Sequence, residues 1–540
     1  MFYNRRIISI LLLLSSAAVL NAQSQVKVSE TRETIPTYLV GNPNLYPYFF
    51  NGRTYQGAAG HVYPYPMYDN LTDERVDRDY KYLTLENEYT KIGVLPEIGG
   101  RIFSAEDKQT GYNFFYRQHV IRPALIGMIG SWISGGVEWN IPHHHRASST
   151  LNAGYEITEN EDGSKTIWIG ETELRQRLKW TIGLTMFPGK SYVEATFKMQ
   201  NRTPLVQSFL YWANVSVHCD ENYQVQFPPQ TIYGTAHSKV SYTDWPYNTL
   251  WGDTQPTDNS WWKNFKNSNS TFAVNYSQDY LVGYDFGKDA GTAHWANHHL
   301  VPGKKFFLWG TESVWNELLT EEDGAYLELM VGTLSDNQPD YSWIGPNEVR
   351  VTRQYWYPIK GIGGAKNVTL EGAVNIERTS PESFMVGFNS TALYKGAKVI
   401  IKAAGKTLSE ETVTIDPDTP YIKNVSVPST LKDSEFFAGL YDSDGVELVS
   451  WSPVVKDEYA RPHPADRPKT PAEYSSVEEL LLAGQRLEEF HNARLDPLPY
   501  YEEALRRDFL DSRVNVNLGI YYAKKAEWTV AEKYLNRAYK

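Results

Sequence analysis

Residues 192–199, YVEATFKM, decide the fold class: Tyr192, Glu194, Thr196 and Lys198 alternate with Val193, Ala195, Phe197 and Met199. Successive side chains of an extended chain point to opposite faces, so this pattern predicts a strand with two unlike faces. Runs of the same kind, among them TIWIGET (166–172) and YLVGYDF (280–286), recur from about Tyr80 to Tyr357. Gly, Pro, Asn or Asp turns separate them, and helical periodicity is nearly absent. The expectation is a mainly β chain built on a large antiparallel β-sandwich.

Outward from that core the pattern changes twice. Residues 363–455 carry AVNIERT, FMVGFNS, AKVIIKAA and VELVSWSP, strand signals whose spacing suits a small immunoglobulin-like β-sandwich. Pro462, Pro464, Pro468 and Pro471 mark residues 456–471 as a semi-rigid linker. From residue 472 to 540 the period becomes helical. SSVEELLLAGQRLEEFHNA reads as an amphipathic helix with Ser475 or Ser476 at its start and Glu478 and Glu479 as capping acids. Ala504, Leu505, Leu518, Gly519, Tyr522, Ala531, Leu535 and Ala538 then take small and large packing positions that resemble a tetratricopeptide repeat. One such repeat cannot bury its own face, so the natural array is expected to be longer, with protein partners or self-association as its use.

The start, MFYNRRII, followed by an apolar run from Ile7 to Leu20 and a cut after Ala22, reads as a signal peptide over residues 1–22. A periplasmic or secreted protein is expected, with residues 23–362 as the principal sandwich. No later stretch nears the ~20 apolar residues of a membrane span. Cys219 is the sole cysteine among 540 residues, which excludes internal disulfides and thiolate metal sites. A net charge of -12 without a basic block argues against nucleic-acid partners. Aromatic residues form 14% of the chain, more than a core needs, which fits stacking platforms for sugars.

Several segments carry the chemistry. YLELMVGTLSDNQPDYSW (326–343) combines Glu328, Asp336 and Asp340 with the amides Asn337 and Gln338 and the rings of Tyr341 and Trp343. Carboxylates exchange protons with sugar oxygens, amides bond hydroxyls, and aromatic rings stack on pyranose faces. The plainer reading is a turn between strands. In SWISGGVEWNIPHHH (131–145), Glu138 lies between Val137 and Trp139, where burial would raise its pKa as a general acid requires. His143, His144 and His145 cannot all face one ion on a regular strand, and no metal is assigned. FLYWANVSVHCDENYQVQFP (209–228) places Trp212, Asn214, Ser216 and His218 on one face. AGTAHWANHHLVPGKKFFLWG (290–310) adds His294, His298 and His299, and Lys304 and Lys305 after a turn. LPEIGGRIFSAEDKQTGYNFFY (95–116) reads as a hairpin with Arg101 buried rather than catalytic. Neither a nucleophile elbow nor a phosphate-binding glycine loop is present.

The blocks GGVEWNIPHHH, FLYWANVSVH, AHWANHHLVPGKKFFLWG and YLELMVGTLSDNQPDYSW, with the helical tail, resemble the secreted family called domain of unknown function 5107. The resemblance covers roughly residues 40–360 and the tail. It implies a galactose-mutarotase-like antiparallel β-supersandwich and a carbohydrate context. On that likeness Glu328, with Pro339-Asp340 downstream, looks like the mutarotase base at the anomeric hydroxyl, and His218 is nearest to the acid histidine. Glu138 has no counterpart there, which shifts the expected reaction from epimerisation to hydrolysis.

The expected function is therefore a glycoside hydrolase, with a non-catalytic glycan-binding protein and an aldose epimerase-like enzyme as alternatives. Glu138 is the expected acid, Glu328 the base or nucleophile, and Asp340 a substitute for either. Trp139, His143, Trp212, Asn214, His218, His294, His298, Asn337, Gln338, Tyr341 and Trp343 are the expected sugar contacts. No cofactor is expected, and the partner is an oligosaccharide or polysaccharide.

Overall fold

The computed structural model describes residues 25–46, 62–126, 129–143, 145–236, 242–250, 253–335, 341–454, 460–461, 463, 467–489 and 495–540. The expected signal peptide, Asp336, Asn337, Gln338, Asp340, His144, His237 and part of the expected linker lie outside them.

Two antiparallel sheets form the first unit. The larger has 12 strands and runs Lys27–Val40, Leu71–Glu86, Thr90–Leu95, Arg101–Asp107, Val137–Asn140, Trp212–His218, Tyr326–Gly332, Gly303–Leu308, Asn269–Ala273, Tyr233–Ala236 and Tyr242–Asp244, with Asn113–Phe115 beside Arg101–Asp107. The smaller has 8 strands and centres on Val349–Lys360 between Ala290–Trp295 and Val193–Asn201. The opening segment lies in this second sheet: Val193, Ala195, Phe197 and Met199 are buried, while Glu194, Thr196 and Lys198 keep contact with solvent. Its apolar side meets Val215, Val217, Leu327, Leu329 and Phe306 of the large sheet in one continuous core.

Glycine fixes one junction that matters to the site. Gly136 has φ +60, and a Cβ there would stand 1.9 Å from the Ile102 carbonyl oxygen. The close pass lets Val137–Asn140 pair beside Arg101–Asp107 through Ile102 and Val137. A small sheet of Pro123–Ala124 and Trp132–Ile133 carries Trp132 over the large sheet's outer face, where its ring joins Tyr116, Trp309, Leu319 and Tyr326.

The second unit packs two four-stranded sheets around Val374, Phe384, Val386, Phe388, Val399, Ile401 and Leu440. An ion triad ties the two units: the buried Lys360 Nζ lies 2.9 and 2.8 Å from the buried Asp107 carboxylate and 2.9 Å from Oδ1 of the partly exposed Asp418. Four helices follow, Val477–Glu489, Leu498–Arg507, Ser512–Lys524 and Trp528–Tyr539. Leu480, Leu487, Tyr501, Ala504, Val514 and Leu518 form their shared core. Ala531 is buried as the pattern predicts, but Leu535 is 40% exposed. Among the described residues no helix is long and apolar enough to cross a membrane.

Candidate functional site

Three neighbouring strands of the large sheet assemble the site. In their register Asn214 faces Glu138, Trp212 faces Asn140, and Ser216 faces Glu328. Directly facing residues share one side of a sheet, so all six stand on the outer face. Two inter-strand steps and a two-residue offset set the Glu138 and Glu328 Cα atoms about 12 Å apart. The next strand adds Phe307 opposite Glu328 and Lys305 opposite Met330.

Glu138 is fully engaged. Its Oε2 accepts from Trp132 Nε1 at 2.9 Å, and His145 Nδ1 lies 3.1 and 2.9 Å from its two oxygens. The Asn140 amide nitrogen stands 3.2 and 3.3 Å away when its oxygen accepts from Asn214 Nδ2. Burial opposes the charge of Glu138, but His145, Arg101 and the Trp132 bond together outweigh it and hold the carboxyl below its ordinary range. The buried Arg101 guanidinium, drawn down to about 10 by desolvation, donates to the Ser134 and Gly135 carbonyl oxygens.

Glu328 has the opposite environment. It is 6% exposed and makes no hydrogen bond among the described residues. Burial raises its pKa to about 7, and Glu138 pushes the same way, against the pull of His145, Lys305 and Arg101. Lys305 is lowered for the same reason, desolvation, with Glu328 resisting the shift. Its ammonium lies 5.0 Å from the Trp212 ring and 4.8 Å from that of Phe272. Trp212 completes this wall, with its buried Nε1 lacking a partner among the described residues.

The rise expected for the Glu138 pKa does not occur, because its partners hold it below the ordinary carboxylate range, and Glu328 is the acid raised above that range. Asp340, the expected substitute for either acid, lies outside the described residues, as do Asn337 and Gln338.

Among the expected sugar contacts, Trp212 and Asn214 stand beside the acids, and Tyr341 joins Trp212 in one cluster with Phe272 and Met330. His218 shares their face, but its ring stacks on Tyr116 at 3.9 Å and its Nε2 accepts from the Arg117 N–H at 3.3 Å. Burial lowers its pKa to about 4, so it is neutral at physiological pH and unsuited to the acid role. Trp139 points into the inter-sheet core and donates to the Gly100 carbonyl oxygen. His143 sits at the Ser208 backbone, its Nε2 2.8 Å from that carbonyl oxygen, and its ring meets Tyr341 edge-on. His294 lies in the other sheet against Trp356 and Gln354, and His298 pairs with Asp279 at 2.7 Å on a turn. Neither reaches Glu328. Trp343 is on the Ser342–Ile344 strand, which pairs with Gln207–Phe209 and not with any of the three site strands.

Sequence reasoning missed His145, Trp132, Asn140 and Lys305. The signal for His145 was present in the histidine run, but strand alternation does not apply beyond Asn140, where the regular strand ends. Arg101, set aside as a buried structural arginine, is buried as expected and also helps hold Glu138 charged. No group of three or more metal-ligating side chains occurs among the described residues.

The sequence profile of the family described as "Domain of unknown function (DUF5107)" matches residues 58–359, more than half of the chain. The chain belongs to this family. A profile described as "YphG-like protein, second domain" matches residues 367–451, the two-sheet unit of the DUF5107 protein. Among solved structures, this DUF5107 chain is similar to a TPR-domain containing protein from Parabacteroides distasonis, at 18% identity over 95% of this chain and 80% of that one, with a TM-score of 0.56. That likeness shows a shared fold. It is also similar to a putative aldose 1-epimerase from Klebsiella pneumoniae, at 11% identity over 52% and 79% of the two chains, TM-score 0.37. A galactose mutarotase-like protein from Clostridium acetobutylicum matches at 8% identity over 52% and 96%, TM-score 0.36.

Proposed function

We propose that this chain is a carbohydrate-active enzyme that moves protons at an anomeric centre, with Glu328 and His145 as the exchanging groups. The observation that carries the reading is the contrast between the two acids. Glu138 is hydrogen-bonded and charged, while Glu328 is desolvated, without a hydrogen bond among the described residues, and raised to about 7. A carboxyl in that range suits proton transfer at neutral pH. Glu138 is a positioning residue: its carboxylate holds the His145 ring through Nδ1.

The reaction placed first is glycosidic-bond hydrolysis. Glu328 gives its proton to the leaving oxygen, and His145, with Glu138 behind it, draws a proton from the attacking water. The Glu138 oxygens already accept from Trp132 and face His145 and Asn140, which disfavours a covalent glycosyl-carboxylate route. That same engagement favours a second reading, interconversion of anomers, which needs one acid and one base and no nucleophile. Trp212, Tyr341 and Asn214 supply the sugar-binding wall. Export and a tetratricopeptide-type docking role for the four helices belong to the same proposal.

The test is a panel of chromogenic glycosides and an anomer-equilibration assay by NMR, run on the full chain. Glu328→Gln and His145→Gln each reduce the active reaction about 10²- to 10⁴-fold. Full activity of both variants refutes the assignment, and the assay that responds identifies the reaction.

A further inference from the structure

A recess of about 320 Å³ opens on the large sheet near its first strands, lined by Tyr38, Tyr68, Tyr80, Arg78, Glu97 and Asn152 among others. Tyr80 and Arg78 alternate with the residues whose side chains enter the inter-sheet core, so they project on the outer face, as Glu138 does. The Trp132–Ile133 strand divides the two places. Trp132 bonds Glu138 on one side, while Ile133 packs with Tyr80 on the other. The strands of Tyr80 and Glu138 are three steps apart in the sheet, about 14 Å.

The recess is built for a polar ligand with an apolar face. Tyr80 is buried and fixed by Thr37, 3.1 Å from its hydroxyl, whereas Tyr38 and Tyr68 are half-buried. Tyr68 is pinned through its carbonyl oxygen, which accepts from the Ser131 N–H at 2.8 Å. At the rim the Asn152 amide makes no hydrogen bond among the described residues, and Glu97 accepts one long bond of 3.4 Å from the Lys81 N–H. Arg78 lies over the Tyr80 ring at 5.0 Å. Arg122 lies over the Tyr38 ring at 4.5 Å, which leaves the half-buried Tyr68 as the ring for stacking; with an uncommitted amide, a carboxylate and a guanidinium around a space of this size it matches the hydroxyl edges and one flat face of a pyranose. One charge of each sign gives no preference for an anionic sugar.

We infer that this recess is a second sugar-binding site on the face that carries Glu328, so the ligand is a neutral oligosaccharide that occupies both places. The inference rests on the proposed carbohydrate function and narrows it from a sugar to a glycan of several units.

The experiment is calorimetric titration of the full-length Glu328→Gln chain, which prevents turnover, with glucose-, galactose- and mannose-based saccharides of one, two, four and six units. Affinity is expected to rise at least about tenfold from the monosaccharide to the tetrasaccharide in one series, the scale of one stacked ring with its hydrogen bonds. Asn152→Ala combined with Tyr68→Ala removes that gain and leaves monosaccharide affinity unchanged. Asn152→Ala alone, a change at an exposed side chain, removes part of it with the melting temperature preserved. A gain that survives in both variants overturns the inference, as does equal affinity at all lengths or no saccharide binding. Should Glu328→Gln retain turnover, the catalytic assignment fails on that separate measurement while the length dependence still decides the recess.

Discussion

Replacing Glu328 by Gln should make the protein more stable above neutral pH while removing its activity. In the fold the carboxyl titrates at about 7 against an ordinary value of 4.5. A tenfold change in proton affinity between the folded and unfolded states corresponds to about 1.4 kcal/mol, so ionised Glu328 costs the fold about 3 kcal/mol relative to the unfolded chain. The sign follows from proton binding: the folded state holds the proton more tightly, so its advantage is complete below pH 4.5 and is lost as pH rises through 7. Gln is neutral throughout and escapes the loss. Part of the gain is offset because Lys305 loses the anion that resists its deprotonation. The expected difference in unfolding free energy is small at about pH 5 and about 2 kcal/mol in favour of the variant at about pH 8, or on the order of 3 °C in melting temperature for a unit of this size. Thermal melts of both proteins from mildly acidic to mildly alkaline pH measure it. A variant equally destabilised at both ends of that range, or one whose difference ignores pH, refutes the claim that a desolvated, hydrogen-bond-poor carboxyl occupies this position.

Other outcomes follow from the same contacts. If Glu328 is the proton donor in hydrolysis, turnover should fall as pH rises through about 7; if it acts as the base in anomer exchange, turnover should rise there, and a pH–rate profile without a limb near 7 contradicts both. Glu138→Gln removes the charge that most favours the buried Arg101 guanidinium and should cost about 3–5 kcal/mol in denaturant unfolding, while moving the Glu328 limb to lower pH because Glu138 helps raise it. Lys360→Met strands the buried Asp107 carboxylate at a similar cost of about 3–5 kcal/mol, whereas Asp418→Asn, whose side chain is 32% exposed, should cost under about 1 kcal/mol. Gly136→Ala drives a methyl into the Ile102 carbonyl and should yield little soluble protein, as expression and light scattering would show.

Much of the frame was legible because period-two patterning is a local property. YVEATFKM paired as a strand with the expected buried side, and the three strands carrying Glu138, Asn214 and Glu328 showed their faces in the alternation of their own residues. The state of each acid was not legible in the same way. Apolar neighbours in sequence suggested a raised pKa for Glu138, yet Val137 and Trp139 point to the opposite side of the sheet, and the groups that touch Glu138 come from Trp132 and His145. Glu328 shows the converse: its flanking Leu327 and Leu329 also face the core, and its raised pKa arises from burial on the outer side among residues from four strands. His294 and His298 misled for a related reason. Their segment is rich in histidine, but His294 lies on a strand of the other sheet and His298 on the turn after it, and only the strand beyond, with Lys305, returns to the large sheet, an order set by non-local pairing.

The concentration of charge on one patch of the large sheet bears on why a fold would hold it. Arg101, Glu138, Lys305 and Glu328 are all buried, and His145 is nearly so. Desolvating such groups is costly, and apolar residues of similar volume at these positions are commonly as stable or more so. Local hydrogen bonding accounts for Glu138, whose bonds satisfy it, and for part of Arg101. It does not account for Glu328 and Lys305, which have no hydrogen bond among the described residues and whose ordinary charges are opposed by their surroundings. Structural economy would place leucine or methionine there, as Met330 stands two residues away on the same face. A carboxyl and an amine kept at the edge of ionisation beside a carboxylate-held imidazole are costly to the fold and useful to proton transfer. Replacing Glu328 and Lys305 together by Met should therefore keep or raise the melting temperature while abolishing turnover, and turnover that survives the double variant would refute a role for the pair in the chemistry.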